Sequence, residues 1–201
     1  MKSMRVLASL VAGLTLACAQ AQEKDVREMV SEVCSNCHGI DGNAVSPIFP
    51  KLAGQSQEYL LSQLQAFRDQ TRKDPDAHAY MWGISRLIDD KMRVKLAEYF
   101  SAQKPTRGTP GDPQLAAKGK LIYEKGIESK QVPACAGCHG QDAQGNKIFP
   151  RLAGQHPQYL VKQIKVFHGN DRPNNAVMMK AVVEGLSDEE ALEVAAYLQG
   201  L

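Results

Sequence analysis

Cys34-Ser35-Asn36-Cys37-His38 and, about a hundred residues later, Cys135-Ala136-Gly137-Cys138-His139 decide the reading of this chain. Each is a C-x-x-C pair followed at once by histidine. On a helical turn, side chains three apart share a face, so two thiols at this spacing can add to the vinyl groups along one edge of a porphyrin. The next residue can then turn its imidazole onto the iron, which makes the pentapeptide the attachment signal for c-type haem. Disulfides, a C-x-x-C redox motif and a zinc site built from both pairs compete for the same cysteines. None of these requires a histidine after each pair. With five Cys and five His in 201 residues, chance supplies about 0.003 such motifs. Cys34, Cys37, Cys135 and Cys138 are therefore read as attachment points of two covalent haems c, and His38 and His139 as iron ligands.

Working outward, the two motifs head an internal repeat. Phe49-Pro50-Lys51-Leu52-Ala53-Gly54-Gln55 returns as Phe149-Pro150-Arg151-Leu152-Ala153-Gly154-Gln155, Tyr59-Leu60 as Tyr159-Leu160, and Phe67 as Phe167. Ala97-Glu98-Tyr99-Phe100 corresponds to Ala195-Ala196-Tyr197-Leu198. The offset drifts from 101 at the cysteines through 100 to 98 near the ends, as small loop deletions would produce. Between the copies, residues 104–113 hold three prolines and two glycines, a composition that disfavours helix and marks a linker. The expected organisation is a signal peptide at 1–21, a first domain at 22–104, a linker at 105–113 and a second domain at 114–201.

Both copies read as helical. Residues 26–33 lead into the first motif and 116–125 open the second copy, with Leu121, Ile122 and Tyr123 as its apolar part. Leu60, Leu64 and Phe67 fall at helical spacing, as do Leu160, Ile164 and Phe167. Ser187-Asp188-Glu189-Glu190 predicts a capping box, followed by an apolar face of Leu192, Ala195, Ala196 and Leu198. No alternating run suggests a sheet, so the fold class is all-α. Domains of about 80 residues bury little core on their own. A buried haem would supply much of the apolar contact, and the apoprotein is expected to fold poorly.

The N-terminus reads as an export signal. Lys2 and Arg5 form a basic region, residues 6–17 an apolar one, and Ala19-Gln20-Ala21 a small-x-small cleavage site before Gln22. An apolar run of about 12 residues is too short to cross a bilayer, which needs roughly 20. Lipidation at Cys18 is the alternative, though Thr15 and Leu16 make a poor lipobox. Lys2 and Arg5 also account for the whole formal charge of +2; without them the basic side chains equal the 22 acidic ones. That balance gives no electrostatic case for nucleic-acid binding.

The sixth iron ligand follows from the repeat. Carrier haems usually take His and Met. At the terminal offset of 98, Met81 falls on Met179, each the same distance before the final helix. Met29 lies too close to the first motif, Met92 lies within a helix opposite Glu190, and Met178 corresponds to Tyr80. Met81 and Met179 are the expected ligands. His78, His156 and His168 have no repeated counterpart and read as exposed polar residues, with bis-His ligation through His78 the rival at the first iron.

Two C-x-x-C-H motifs, each followed by F-P-[KR]-L-A-G-Q-x-x-x-Y-L and then by Met before a terminal helix, resemble the cytochrome c4 family of periplasmic dihaem cytochromes. The resemblance spans about residues 23–201. It implies two tandem class I cytochrome c domains related by a pseudo-twofold, His/Met haems with propionates meeting near the interface, and delivery of electrons towards a membrane terminal oxidase. The first helix lacks a counterpart of Gly119, and Tyr80 and Trp82 flank the first Met where Met178 and Lys180 flank the second. These departures lead to an expectation of unequal haem environments. With both axial positions filled by protein, an iron has no open site for substrate, so the expected role is electron carriage in the periplasm and not catalysis. The expected partners are redox proteins: a terminal oxidase, a quinol-oxidising complex or a periplasmic dehydrogenase. Membership of such a dehydrogenase, flavoprotein or quinoprotein, is the alternative, and a haem peroxidase a more distant one. No stable membrane insertion of the mature chain is expected.

Overall fold

The computed structural model describes residues 26–169, 171–173 and 176–201. The signal peptide, its cleavage site and Cys18 lie outside these residues. The first half opens with helix α1 (26–38), which passes through a π-type turn at Val30–Cys34 into Ser35–His38. Helix α2 is Gln57–Arg68. Helix α3 begins as a second π-type turn, Ala77–Met81, and continues as Trp82–Arg86, and α4 is Asp90–Ser101. The second half contains α5 (Pro113–Lys125), α6 (Ala136–His139), α7 (Pro157–His168), α8 (Ala176–Val183) and α9 (Asp188–Gln199). Among the described residues there is no strand, only two isolated bridges. The π-type turns of the first half end on Cys34 and Met81. Such turns often occur at functional positions; in the second half the residues leading to Cys135 form turn and loop, and Met179 lies in helix of ordinary pitch, Ala176–Val183.

Local chemistry explains the helix ends. Asp112 accepts from the N–H groups of Gln114 and Leu115, and Pro113 occupies the first helical position, where its missing N–H costs nothing. Helix α5 therefore begins earlier than the composition of the proline-rich segment suggested. Ser187 and Glu190 form the expected reciprocal cap on α9. Lys130 reaches the same carboxylate at 2.7 Å and, with the Ser187 N–H, holds it below the usual glutamate range.

Two apolar cores form, one per half. In each, the long middle helix packs against the last: α2 on α4 and α7 on α9. Leu60 and Phe67 are buried with Leu64 packed beside them, and Leu160, Phe167 and Ile164 repeat the arrangement. The α9 face differs from expectation. Ala191, Val194, Ala195 and Leu198, one i, i+3, i+4, i+7 stripe, are buried, whereas Leu192 lies about 100° off that stripe and is exposed. On α5, Ile122 and Tyr123 are buried and Leu121 is exposed. Helix α5 crosses α9 closely: a Cβ on Gly119 would lie 1.9 Å from the Glu193 carbonyl oxygen, so only glycine fits.

Reciprocal contacts join the halves. The Lys51 N–H donates to Gln155 Oε1 at 2.9 Å, and the Arg151 N–H donates to Gln55 Oε1 at 2.7 Å. In return, Gln55 Nε2 donates to the Arg151 carbonyl and Gln155 Nε2 to the Lys51 carbonyl, both at 3.1 Å. Residue i meeting j while j's counterpart meets i's is the mark of a twofold arrangement. Because these are main-chain bonds made by buried amides, they fix the halves in one register and do not rely on surface charge.

Candidate functional site

The fold encloses a cavity of about 800 Å³ that runs from one half into the other, within the size range of cofactor sites. Leu60, Phe67, Leu96 and Phe100 line it on one side, and Leu160, Phe167, Val194 and Leu198 on the other. Cys34, Cys37 and His38 face it from α1, and Cys135, Cys138 and His139 from α6. Both short motif helices stop at once after the histidine because Gly39 and Gly140 adopt φ of 77° and 83°, a region that glycine enters without strain. The chain then loops back over the histidine.

That loop fixes each imidazole. Nδ1 of His38 lies 2.9 Å from the Pro50 carbonyl oxygen, and Nδ1 of His139 lies 2.9 Å from that of Pro150. A carbonyl only accepts, so Nδ1 carries the hydrogen and Nε2 keeps its lone pair. Burial lowers the pKa of both rings against the modest opposing effect of the carbonyl, so both are neutral. The edge contact to Phe49 or Phe149 holds each ring in orientation. The Phe-Pro pair of the repeat thus supplies an aromatic wall and an orienting carbonyl.

The cysteines fit neither the thiol-redox nor the zinc chemistry. Burial pushes the Cys34 and Cys135 thiols up to about 11, whereas a reactive C-x-x-C thiolate needs a depressed pKa. Among the described residues, no three of His, Cys, Asp and Glu gather into a metal-binding cluster, so the two pairs do not build one zinc site.

Met81 and Met179 both line the cavity, and Met179 packs against the second core. Met178 also borders the cavity but is 55% exposed. Met29 and Met92 pack into the first core and do not line the cavity. His78 is exposed, set edge-on to Trp82 at 4.5 Å, and outside the cavity lining. His168 is exposed at the end of α7. His156 corrects the sequence reading, because it is partly buried and its Nε2 donates to the Ala44 carbonyl of the other half at 2.7 Å.

Sequence reasoning missed a polar cluster at the centre of the cavity wall. Arg72 and Arg172, 5% and 2% exposed, each cap an aromatic ring, Phe67 and Phe167, at 4.7 and 4.6 Å. Arg72 donates to Gln63 at 3.0 Å, Gln163 at 3.1 Å and Tyr159 at 3.5 Å. Arg172 donates to Gln163 at 2.7 Å, Gln63 at 2.8 Å and Tyr59 at 2.7 Å. The signal was present, since Tyr59, Gln63 and Arg72 recur at an offset of 100. Among the described residues, Arg172 Nε has no partner, and it lines the cavity. A buried donor of this kind is costly unless an acceptor meets it. A group with an apolar body and carboxylate arms therefore suits the cavity, and haem is such a group.

The sequence profile of the cytochrome c family matches residues 24–104 and again 116–201. Cytochrome c4 of Azotobacter vinelandii is 37% identical over 96% of this chain and 95% of its own length. The chain belongs to the cytochrome c4 family. The solved cytochrome c4 structure of Acidithiobacillus ferrooxidans superposes with a TM-score of 0.78 at 39% identity, covering 84% of this chain and 98% of that one. A protein named thiosulfate dehydrogenase electron acceptor, from Thiomonas intermedia, is 33% identical over 82% of this chain and 76% of its own length. As a cytochrome c4, the chain has two all-α cytochrome c domains, carries two haems c and works in electron transfer. Among its described residues, no helix is long and apolar enough to cross a membrane.

Proposed function

We propose that this cytochrome c4 is an exported, periplasmic shuttle that passes electrons to a membrane terminal oxidase. It uses His38 and Met81 on one iron and His139 and Met179 on the other, and it has no catalytic activity of its own. The observation that carries this reading is the arrangement repeated in each half: a neutral imidazole with a free Nε2 and a thioether face the same apolar cavity. Bound haem supplies a one-electron iron couple. The protein's part is to close both axial positions, exclude water from them with the Leu and Phe walls, and keep each imidazole in the ligating tautomer through the Pro50 or Pro150 carbonyl. Haem held by these ligands would have no position open to substrate, and the partly exposed cysteines that would attach it lie where a redox partner could approach. Redox encounters of this type use small, transient contacts.

Export with cleavage before Gln22 would bring all four cysteines to the periplasm, where each thiol would add across a haem vinyl group, a redox-neutral step that consumes the S–H. The relative named as a thiosulfate dehydrogenase electron acceptor favours a periplasmic dehydrogenase as the electron donor, and a lasting complex with one is the second reading. The test is to mix the purified, reduced protein with membranes from the source organism. Rapid oxidation blocked by a terminal-oxidase inhibitor is expected. Slow oxidation, with the cytochrome recovered in a stable complex with a larger dehydrogenase chain, would overturn the free-shuttle reading.

A further inference from the structure

The buried cluster between the domains is duplicated in every member except one. Arg72, Gln63 and Tyr59 have Arg172, Gln163 and Tyr159 as counterparts, and the two guanidinium groups share the same two glutamines. Asp74 stands alone, since the sequence has Asn174 at the matching position. Asp74 is completely buried, its Oδ2 paired with Arg72 Nε at 2.9 Å. Its Oδ1 has no partner among the described residues, and the residue lines the cavity. The Asp74 carbonyl accepts from the His78 N–H at 3.0 Å, which places the carboxylate at the root of the turn that ends at Met81. On the second side Arg172 has no carboxylate partner among the described residues, and its Nε remains unpaired.

We propose that Asp74 is the residue that makes the two redox sites unequal, holding the first haem's couple below that of the second. The inference rests on the two-haem, His/Met reading given above. Ferric iron carries one more positive charge than ferrous iron, so a nearby carboxylate favours the oxidised state. In the interior the interaction is weakly screened by solvent and salt. The first site therefore meets a buried carboxylate beside its arginine, whereas the sequence offers Asn174 at the matching position of the second. Arg72 offsets part of the Asp74 charge, so removing either partner shifts the first couple, and the two removals shift it in opposite directions.

The experiment uses the haem-loaded full chain, with each haem followed by its own shifted NMR methyl signals during redox titration. Asp74→Asn is expected to raise the reduced-to-oxidised ratio of the first haem about tenfold at fixed potential, equivalent to 59 mV for a one-electron couple, and to move the second by less than a third of that. Arg72→Gln is expected to lower the same ratio. Opposite signs are what a charge effect requires, whereas loosened packing would move both variants the same way. An unmoved first couple, equal movement of both couples, or the same sign in both variants would overturn the assignment. If Arg72→Gln fails to accumulate, a rise with Asp74→Asn confined to the first haem supports the assignment and a fall or an unmoved couple overturns it; if Asp74→Asn fails, Asp74→Ser takes its place under the same criteria. Fewer than two haems in the wild-type protein would instead overturn the ligand reading beneath it.

Discussion

Met81→Ala and Met179→Ala should each remove half of the weak near-red absorption that methionine sulfur gives on ferric low-spin haem. Each should also lower one midpoint potential and open one iron to external ligands. The thioether stabilises ferrous over ferric iron, so its loss favours oxidation, and axial ligands act within a range of roughly 0.8 V. Met178→Ala is the control. It should leave both irons six-coordinate, because Met178 is largely exposed and Met179 is the residue packed into the second core. If Met178→Ala opened the second iron and Met179→Ala did not, the alignment of the repeats would be off by one residue. If Met81→Ala left the first spectrum unchanged and His78→Ala altered it, the first iron would be held by two histidines.

Replacing Cys34, Cys37, Cys135 and Cys138 together with alanine should abolish the fold along with haem attachment. Without haem, the apolar walls of a cavity of about 800 Å³ would face water and lose the burial that stabilises them. Typical net stability is about 5–15 kcal/mol, so the two small cores cannot hold the helices around such a space. Far-UV circular dichroism of the variant should show most of the helix signal gone and no cooperative melt. A native-like spectrum with a sharp transition would mean that the cores suffice alone.

The sequence revealed the chemistry better than the packing. The C-x-x-C-H motifs and the repeat were legible because covalent attachment and gene-level duplication leave fixed spacings. The lining of the cavity by Met81 and Met179 was recoverable because the repeat carried position from one half to the other. Leu121 and Leu192 misled because apolarity was read without helical phase, and a residue about 100° off the buried stripe faces water however apolar it is. The Arg72–Arg172 cluster was passed over although Tyr59, Gln63 and Arg72 recur at an offset of 100, since a lone arginine in a polar loop looks solvated. Only the reciprocal docking through Gln55 and Gln155 brings the two arginines together. His156 was misread for the same reason: its partner, the Ala44 carbonyl, belongs to the other half. Pro113 looked like a breaker because composition does not reveal that Asp112 caps the helix it begins.

Two irons closed by protein and dedicated to electron carriage are the core of the proposed function. Coulometric titration of the intact protein, monitored by its visible spectrum, tests this most directly. The prediction is two electrons per polypeptide, with both haems low-spin in both oxidation states throughout. One electron per chain, or a high-spin component at any stage, would contradict it.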